Sequence, residues 1–284
     1  MAFIGRNEGE DEGLAKAATF GSYRLHELIN SGGMADLWLA TNHKEETFAL
    51  RLMHRRLRFN YLAKRRFLRG CEILSQIHNH EQVIGYFGHG KLEGTLYLLM
   101  EYVEGANLRE MFNRSDPILV EKVWDILYDM AQALEHVHDS GFMHLDYKPE
   151  NLMITRNGQV RLIDFDLALP KPEQPIKLWK YAGTPAYMAP EQLLHKAIDH
   201  RADIFAFGVT AYELLTHHRP FVGETAEQVI QRQLDRSHDF IPLREHNPDL
   251  SAAMEKVVMK CLERDPDKRY PFMSVLVRDL KTAP

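Results

Sequence analysis

Cysteine is nearly missing from this chain: Cys71 and Cys261 are the only two in 284 residues, far apart and without a C-x-x-C pair. That excludes a disulfide scaffold and a thiolate metal site and implies two buried thiols in a reducing, cytoplasmic setting. No run reaches about 18 consecutive apolar residues, so no transmembrane helix is expected. The opening MAFIGRNEGEDEG is polar and acidic, unlike a secretory signal, and residues 1–20 read as a flexible acidic tail. Histidines number 15, yet no HExxH or similar ligand spacing occurs. A net charge of −5 lends no support to general nucleic-acid or lipid-surface binding, and neither partner is expected. Two absences are local. Residues 48–71 hold no acidic side chain, while Arg51, Arg55, Arg56, Arg58, Lys64, Arg65, Arg66 and Arg69 all fall there. Such a run is either a docking face for an acidic partner or, as favoured here, a solvated face balanced by Glu8–Glu12. Residues 165–183 hold no serine or threonine at all.

What is present divides into two regions. From Tyr23, the segments YRLHEL, ADLWLAT, TFALRLM and TLYLLMEY alternate or run apolar as strands do, with turn signals at Ser31-Gly32-Gly33, Asn42-His43-Lys44 and Gly94. One helix is expected over about 60–77, where Leu62, Phe67, Leu74 and Ile77 recur near helical period. After Gly105 the pattern becomes helical. Val120, Val123, Trp124, Leu127, Met130, Leu134 and Val137 make an apolar stripe, with Asp116-Pro117 marking its start. Residues 203–217 read as a helix buried on most sides, and 252–263 and 272–281 as two closing amphipathic helices. No internal repeat occurs, and PKPEQP at 170–175 is the one Pro-spaced block. The expectation is an α+β chain, a small β-rich lobe over 22–103 and a larger helical lobe over 104–282, with a cleft between.

The chemistry is concentrated in HLDYKPEN, residues 144–151, and DFD, 164–166. Asp146 and Asn151 stand five apart and Asp164 follows. Together they offer a carboxylate to orient a hydroxyl, oxygen ligands for magnesium and a cation, Lys148. Those are the groups that phosphoryl transfer requires. The set with its spacing resembles the catalytic and metal loops of protein kinases. The resemblance extends over essentially all of residues 22–282 and is closest in flavour to bacterial, eukaryotic-like Ser/Thr kinases. SGGMADLWLA (31–40) is similar to their glycine-rich loop, GTPAYMAPE (183–191) to their substrate-facing loop, and DIFAFGVTAYELLTHHRPF (203–221) to the buried helix that follows. Small-molecule phosphotransferases share the H-x-D-x-x-x-x-N loop but lack GTPAYMAPE. Lys148 matches the Ser/Thr rather than the tyrosine form.

The resemblance implies the protein kinase bilobal fold, with ATP and Mg held between the lobes and a Ser/Thr-bearing protein as acceptor. It assigns Asp146 and Lys148 as catalytic, and Asn151 and Asp164 as metal ligands. It places nucleotide contacts at Asn30, Gly32, Gly33, Leu37, Ala49, Arg51, Met100, Glu101, Val103 and Met153. It pairs Arg269 with Glu191, puts Thr184 and Tyr187 beside the acceptor, and sets His144 beneath Phe165. The departures fall at the nucleotide site. Arg51 stands where the family has Lys, Gly70 where it has the helix Glu, and Asn30 and Ala35 where it has glycines. Asp166 replaces the glycine of D-F-G, and Leu145 replaces the Arg that reads a loop phosphate. Glu72 lies about 200° round the helix from position 70 and is expected to face elsewhere. Asp166 reads as a solvated turn residue, a partner for Arg51 or a further metal ligand. The alternative to an active kinase is a pseudokinase, a nucleotide-binding or scaffold protein. A transferase moving AMP has no specific support in the sequence.

Overall fold

The computed structural model describes residues 18–235 and 240–283. Its first region is an antiparallel sheet. Strands β1 (Thr19–Phe20), β2 (Tyr23–Ser31), β3 (Ala35–Thr41) and β4 (Thr47–Met53) precede helix α1 (Tyr61–Ile77), and β5 (Tyr86–Leu92) and β6 (Thr95–Glu101) complete it in the order β1-β2-β3-β4-β6-β5. The pairing of Thr19–Phe20 with β2 corrects the tail boundary, since the sheet already includes residues expected to be flexible; the acidic stretch itself lies outside the described residues. Strand β5 was invisible to pattern because YFGHGKL carries two glycines and little apolar alternation.

Helix α1 begins where the Asn60 side chain accepts the Ala63 N–H, an N-cap. It buries Phe67, Gly70, Cys71, Leu74 and Ile77 at helical spacing. Leu62, expected on that face, lies in the first turn and is 69% exposed, as its neighbour Tyr61 is.

The second region is helical. Strand β7 (Gly105–Asn107) leads into α2 (Leu108–Asn113), α3 (Ile118–Glu121) and α4 (Val123–Asp139). The expected single stripe from Val120 is thus split at Lys122, whose φ of −119° interrupts the helix. Val120 and Trp124 are exposed in consequence, whereas Leu127, Met130, Leu134 and Val137 are buried. Strands β8 (Phe142–Met143), β9 (Leu152–Thr155), β10 (Val160–Leu162) and β11 (Leu169–Pro170) form two small sheets, β10-β9-β7 and β11-β8, that frame the catalytic loop. Helices α5 (Pro190–Leu193), α6 (Arg201–Thr216), α7 (Ala226–Leu234), α8 (Leu243–His246), α9 (Ala252–Cys261) and α10 (Met273–Thr282) follow.

Every residue of α6 from Ala202 to Thr216 is buried, so this helix is the axis of the lobe. Its one early acid, Asp203, therefore requires partners, and finds them in the catalytic loop. Arg269 meets Glu191 bidentately, Nη1 to Oε1 at 2.7 Å and Nη2 to Oε2 at 2.8 Å. Both side chains are almost wholly out of water.

Candidate active site

The cleft between the lobes has a volume of about 490 Å³. Asn30, Gly32, Leu37 and Ala49 line its upper wall, Met100, Glu101 and Val103 its back, and Met153 and Ile163 its floor. Those walls are mostly apolar, as a flat heteroaromatic ring requires. Glu101 contributes backbone rather than charge, because its carboxylate is turned to the Gly85 N–H at 3.0 Å and toward Arg161 at 3.4 Å. Gly33, expected in the site, is not among the lining residues; its carbonyl accepts Arg56 Nη2 at 3.2 Å.

The catalytic loop is held from below. Asp203 Oδ2 accepts the His144 N–H at 2.8 Å and Oδ1 the Leu145 N–H at 2.7 Å, while His138 Nε2 donates to Oδ2 at 2.9 Å. Burial alone would raise the Asp203 carboxyl; these donors hold it below its usual value. Leu145 has a φ of 61°, a left-handed conformation for which a side-chain-bearing residue needs such support. His144 packs edge-on to Phe165 at 5.0 Å, as a core residue.

Asp146 then sits in a fixed set of contacts. Lys148 Nζ donates to Asp146 Oδ2 at 2.8 Å and to Thr184 Oγ1 at 3.2 Å. Asn151 Nδ2 donates to the Asp146 carbonyl at 2.7 Å and to its Oδ2 at 3.0 Å, which leaves the amide oxygen as the free acceptor. Burial pushes the Asp146 carboxyl above the usual range, and Lys148 partly offsets that. Lys148, Asn151, Asp164 and Thr184 all line the cleft, and Asp146 joins it through Lys148 and Asn151.

Asp164 has a φ of 61° and takes the Asp166 N–H on its own Oδ1 at 3.2 Å. Both of its protein contacts fall on that oxygen, since Arg51 Nη1 stands 3.6 Å from it. Oδ2 and the Asn151 amide oxygen are the kind of hard donors magnesium takes alongside substrate phosphates. Among the described residues no cluster of three His, Cys, Asp or Glu side chains forms a metal cage.

Three of the departures, at positions 51, 70 and 166, form one device. Arg51 Nη1 donates to Asp166 Oδ1 at 3.0 Å and Nη2 to Oδ2 at 2.6 Å, a bidentate pair whose side chains are 17% and 10% exposed. Of the three readings of Asp166, the partner for Arg51 is the one found. A Cβ on Gly70 would lie 3.0 Å from Asp166 Oδ1 and 3.0 Å from the Phe165 carbonyl carbon and oxygen. The glycine thus makes room for the D-F-D segment against α1, and Glu72 is exposed. Arg69 Nη2 adds a bond to the Asp166 carbonyl at 3.0 Å. Burial alone would lower the Arg51 pKa; Asp164 and Asp166 reverse that and keep the guanidinium charged. Burial, and then the neighbouring Asp164, push the Asp166 carboxyl upward.

Two functional residues carry no motif in the sequence. Asp203 was seen only as part of a helix. Arg109 on α2 donates from Nε to Glu150 at 3.0 Å, from Nη1 to Glu213 at 2.6 Å, and from Nη2 to the Tyr187 hydroxyl, joining catalytic loop, substrate-facing loop and α6. Of the basic stretch before and within α1, Arg55, Arg58 and Arg65 are exposed and have no acidic partner among the described residues.

Comparison with known proteins places this geometry. The model of the protein kinase domain matches residues 23–280. The serine/threonine-protein kinase PknB of Mycolicibacterium smegmatis is 30% identical over 266 residues, 91% of this chain and 42% of that protein. PknB of Mycobacterium tuberculosis is likewise 30% identical over 266 residues, with the same shares. PrkC of Bacillus subtilis is 29% identical over 269 residues, 93% of this chain and 40% of PrkC. The chain spans about two fifths of the length of these relatives. With a small sheet lobe, a helical lobe and the catalytic loop held on Asp203 between them, this chain belongs to the protein kinase domain family.

Proposed function

We propose that the chain transfers the γ-phosphoryl group of ATP to Ser or Thr hydroxyls of protein substrates. The observation that carries this reading is the contact set Asp146–Lys148–Asn151–Thr184 at the floor of an apolar cleft, with Asp164 across from it. Leu37, Ala49, Met100 and Met153 would enclose the adenine, and Asn30 and Gly32 would lie over the phosphates. Asp146 accepts a hydrogen bond from the acceptor hydroxyl and aims its oxygen; Lys148, fixed to Asp146 and Thr184, stabilises negative charge between acceptor and phosphate. Arg51 supplies the second cation. Magnesium would be held by Asp164 and Asn151, and when bound it neutralises phosphate charge.

The lobes divide at residues 103 and 104, immediately before β7. Cys71 and Cys261, both free and buried, support a reducing cytoplasmic setting. Among the described residues no helix is long and apolar enough to cross a membrane. Arg55, Arg58 and Arg65, which have no acidic partner among the described residues, leave an acidic partner at the N-lobe as a secondary proposal. One observation favours the scaffold reading: both terminal nitrogens of Arg51, at the phosphate end of the cleft, are engaged by Asp166.

The test follows label. With γ-labelled ATP and magnesium, protein acceptors should become labelled, and with α-labelled ATP they should not. Asp164→Ala should also abolish the magnesium-dependent part of thermal stabilisation by ATP, since a ligand stabilises only through the state it binds. Labelling from the α position, or full metal-dependent stabilisation of the variant, would overturn the assignment.

Leu145 and the Ser/Thr-free stretch 165–183 lead to a second expected result. Phosphatase-treated protein should transfer phosphate at the same initial rate as untreated protein. The Arg109–Tyr187–Glu213 contacts supply a phosphate-free means of ordering the loop. A large drop in rate after treatment would count against it.

A further inference from the structure

Between the D-F-D segment and Gly183 the chain displays a surface that the chemistry above does not use. Trp179 is 102% exposed, an uncommon position for so large an apolar side chain. Its setting is built rather than loose. Ile176 exchanges two backbone hydrogen bonds with Ile198, at 2.9 and 2.8 Å. The Leu178 N–H donates to the Tyr181 hydroxyl at 3.2 Å, and the Leu178 side chain packs on the core. The Tyr181 hydroxyl is itself bound to the Lys196 carbonyl, and its ring is buried. The backbone is therefore pinned at 176, 178 and 181, and the residues turned outward are Lys177, Trp179 and Lys180.

Charge at the outward positions is positive. No carboxylate occurs between Gln174 and Gly183, and the exposed Glu173 lies four residues before Lys177. On the catalytic side Arg109 bonds both Glu150 and Glu213, and Arg219 stands 3.9 Å from Glu213, so two acids face two cations. Glu150 keeps one buried oxygen without a partner, but its other oxygen carries the ion pair. Trp179 is five residues from Thr184, a span of at most about 18 Å. Thr184 touches the Lys148 that holds Asp146. A polypeptide with its hydroxyl at Asp146 reaches Trp179 within a few residues.

We propose that Lys177, Trp179 and Lys180 form the acceptor-docking surface of this chain, and that it selects polypeptides carrying carboxylates beside an apolar side chain. The occupant is argued from complementarity: two ammonium groups, in no ion pair among the described residues, flank one fully exposed indole, and the acids that would hold a basic acceptor are already paired with Arg109 and Arg219. The proposal rests on the phosphoryl-transfer reading and deepens it by naming the acceptor class.

The experiment uses two synthetic serine peptides with the same apolar residues, one flanked by glutamates and the other by lysines. Initial rates give KM and kcat, and fluorescence anisotropy gives binding in the absence of transfer. The acidic peptide should have the lower KM. Lys177→Glu with Lys180→Glu should raise that KM about tenfold, leave kcat within about twofold, and invert the preference toward the lysine peptide. Trp179→Ala should raise KM for both peptides. Equal KM values for the two peptides, or a charge-reversed variant that loses kcat at constant KM, would overturn the proposal. So would capture by phosphatidylserine vesicles through these residues with no effect on the peptides. If neither peptide is labelled yet the acidic one binds through Lys177 and Lys180, the transfer reading fails and the docking surface stands.

Discussion

Asp146→Asn should lower the rate of phosphoryl transfer by about 10²–10⁴-fold, the range that a positioned acid–base group contributes. ATP affinity should hardly change, because the carboxylate reaches the cleft only through Lys148 and Asn151. The substitution preserves shape and one acceptor oxygen, so the Lys148 and Asn151 contacts can persist and the loop, pinned from beneath by Asp203, should stay in place. What is lost is the negative charge that orients the hydroxyl and takes its proton. Single-turnover rates and thermal stability, measured on the same preparation, separate chemistry from folding. Equal transfer by the variant and the parent would remove Asp146 from the mechanism, and an absence of transfer in both would favour the scaffold reading.

The legible parts of this molecule were those whose meaning is local. Asp146, Lys148, Asn151 and Asp164 fall within 19 consecutive residues; three of them line one cleft, and Asp146 contacts Lys148 and Asn151 there. Strands β2, β3, β4 and β6 carry apolar patterns that suit a half-buried sheet, and they form. Strand β5, rich in glycine, has no such pattern and is made by its neighbour β6. Arg109 could not be read, because its partners Glu150, Tyr187 and Glu213 lie 41, 78 and 104 positions away. Asp203 did leave a signal. A lone acid at the head of a helix buried on every side must be paired, and the backbone N–H groups of a strained loop are suited to it. At Gly33 the sequence offers a phosphate contact but not the bond its carbonyl accepts from Arg56, which depends on a residue 23 positions away.

The pairing of Arg51 with Asp166 leads to the largest structural effect expected here. In the family pattern a Lys on this strand meets a Glu on the helix. Here the carboxylate comes from the D-F-D segment, and α1 offers only the space left by Gly70. Arg51→Ala should cost about 3–5 kcal/mol of stability, because it leaves the buried Asp166 carboxylate without its partner, and Asp166→Ala should cost less, because Arg51 keeps Asp164 at 3.6 Å. Arg51→Lys should also lose activity rather than regain it, since an ammonium keeps one of the two charge-assisted bonds at best, a loss of about 1.5–3 kcal/mol. Gly70→Glu alone should be worse than neutral: its Cβ would press on the Phe165 backbone at 3.0 Å, and backbone cannot swing aside as a side-chain end can. Asp166→Gly removes one of those obstacles and frees the segment to shift. Arg51→Lys, Gly70→Glu and Asp166→Gly combined should therefore outperform the sum of the single changes. A double-mutant cycle between positions 51 and 166, read in both urea unfolding and ATP affinity, should give a coupling of about 0.5–3 kcal/mol. Additive effects in both readouts would mean that the two residues act independently, and the swapped ion pair would then have no part in holding the nucleotide site together.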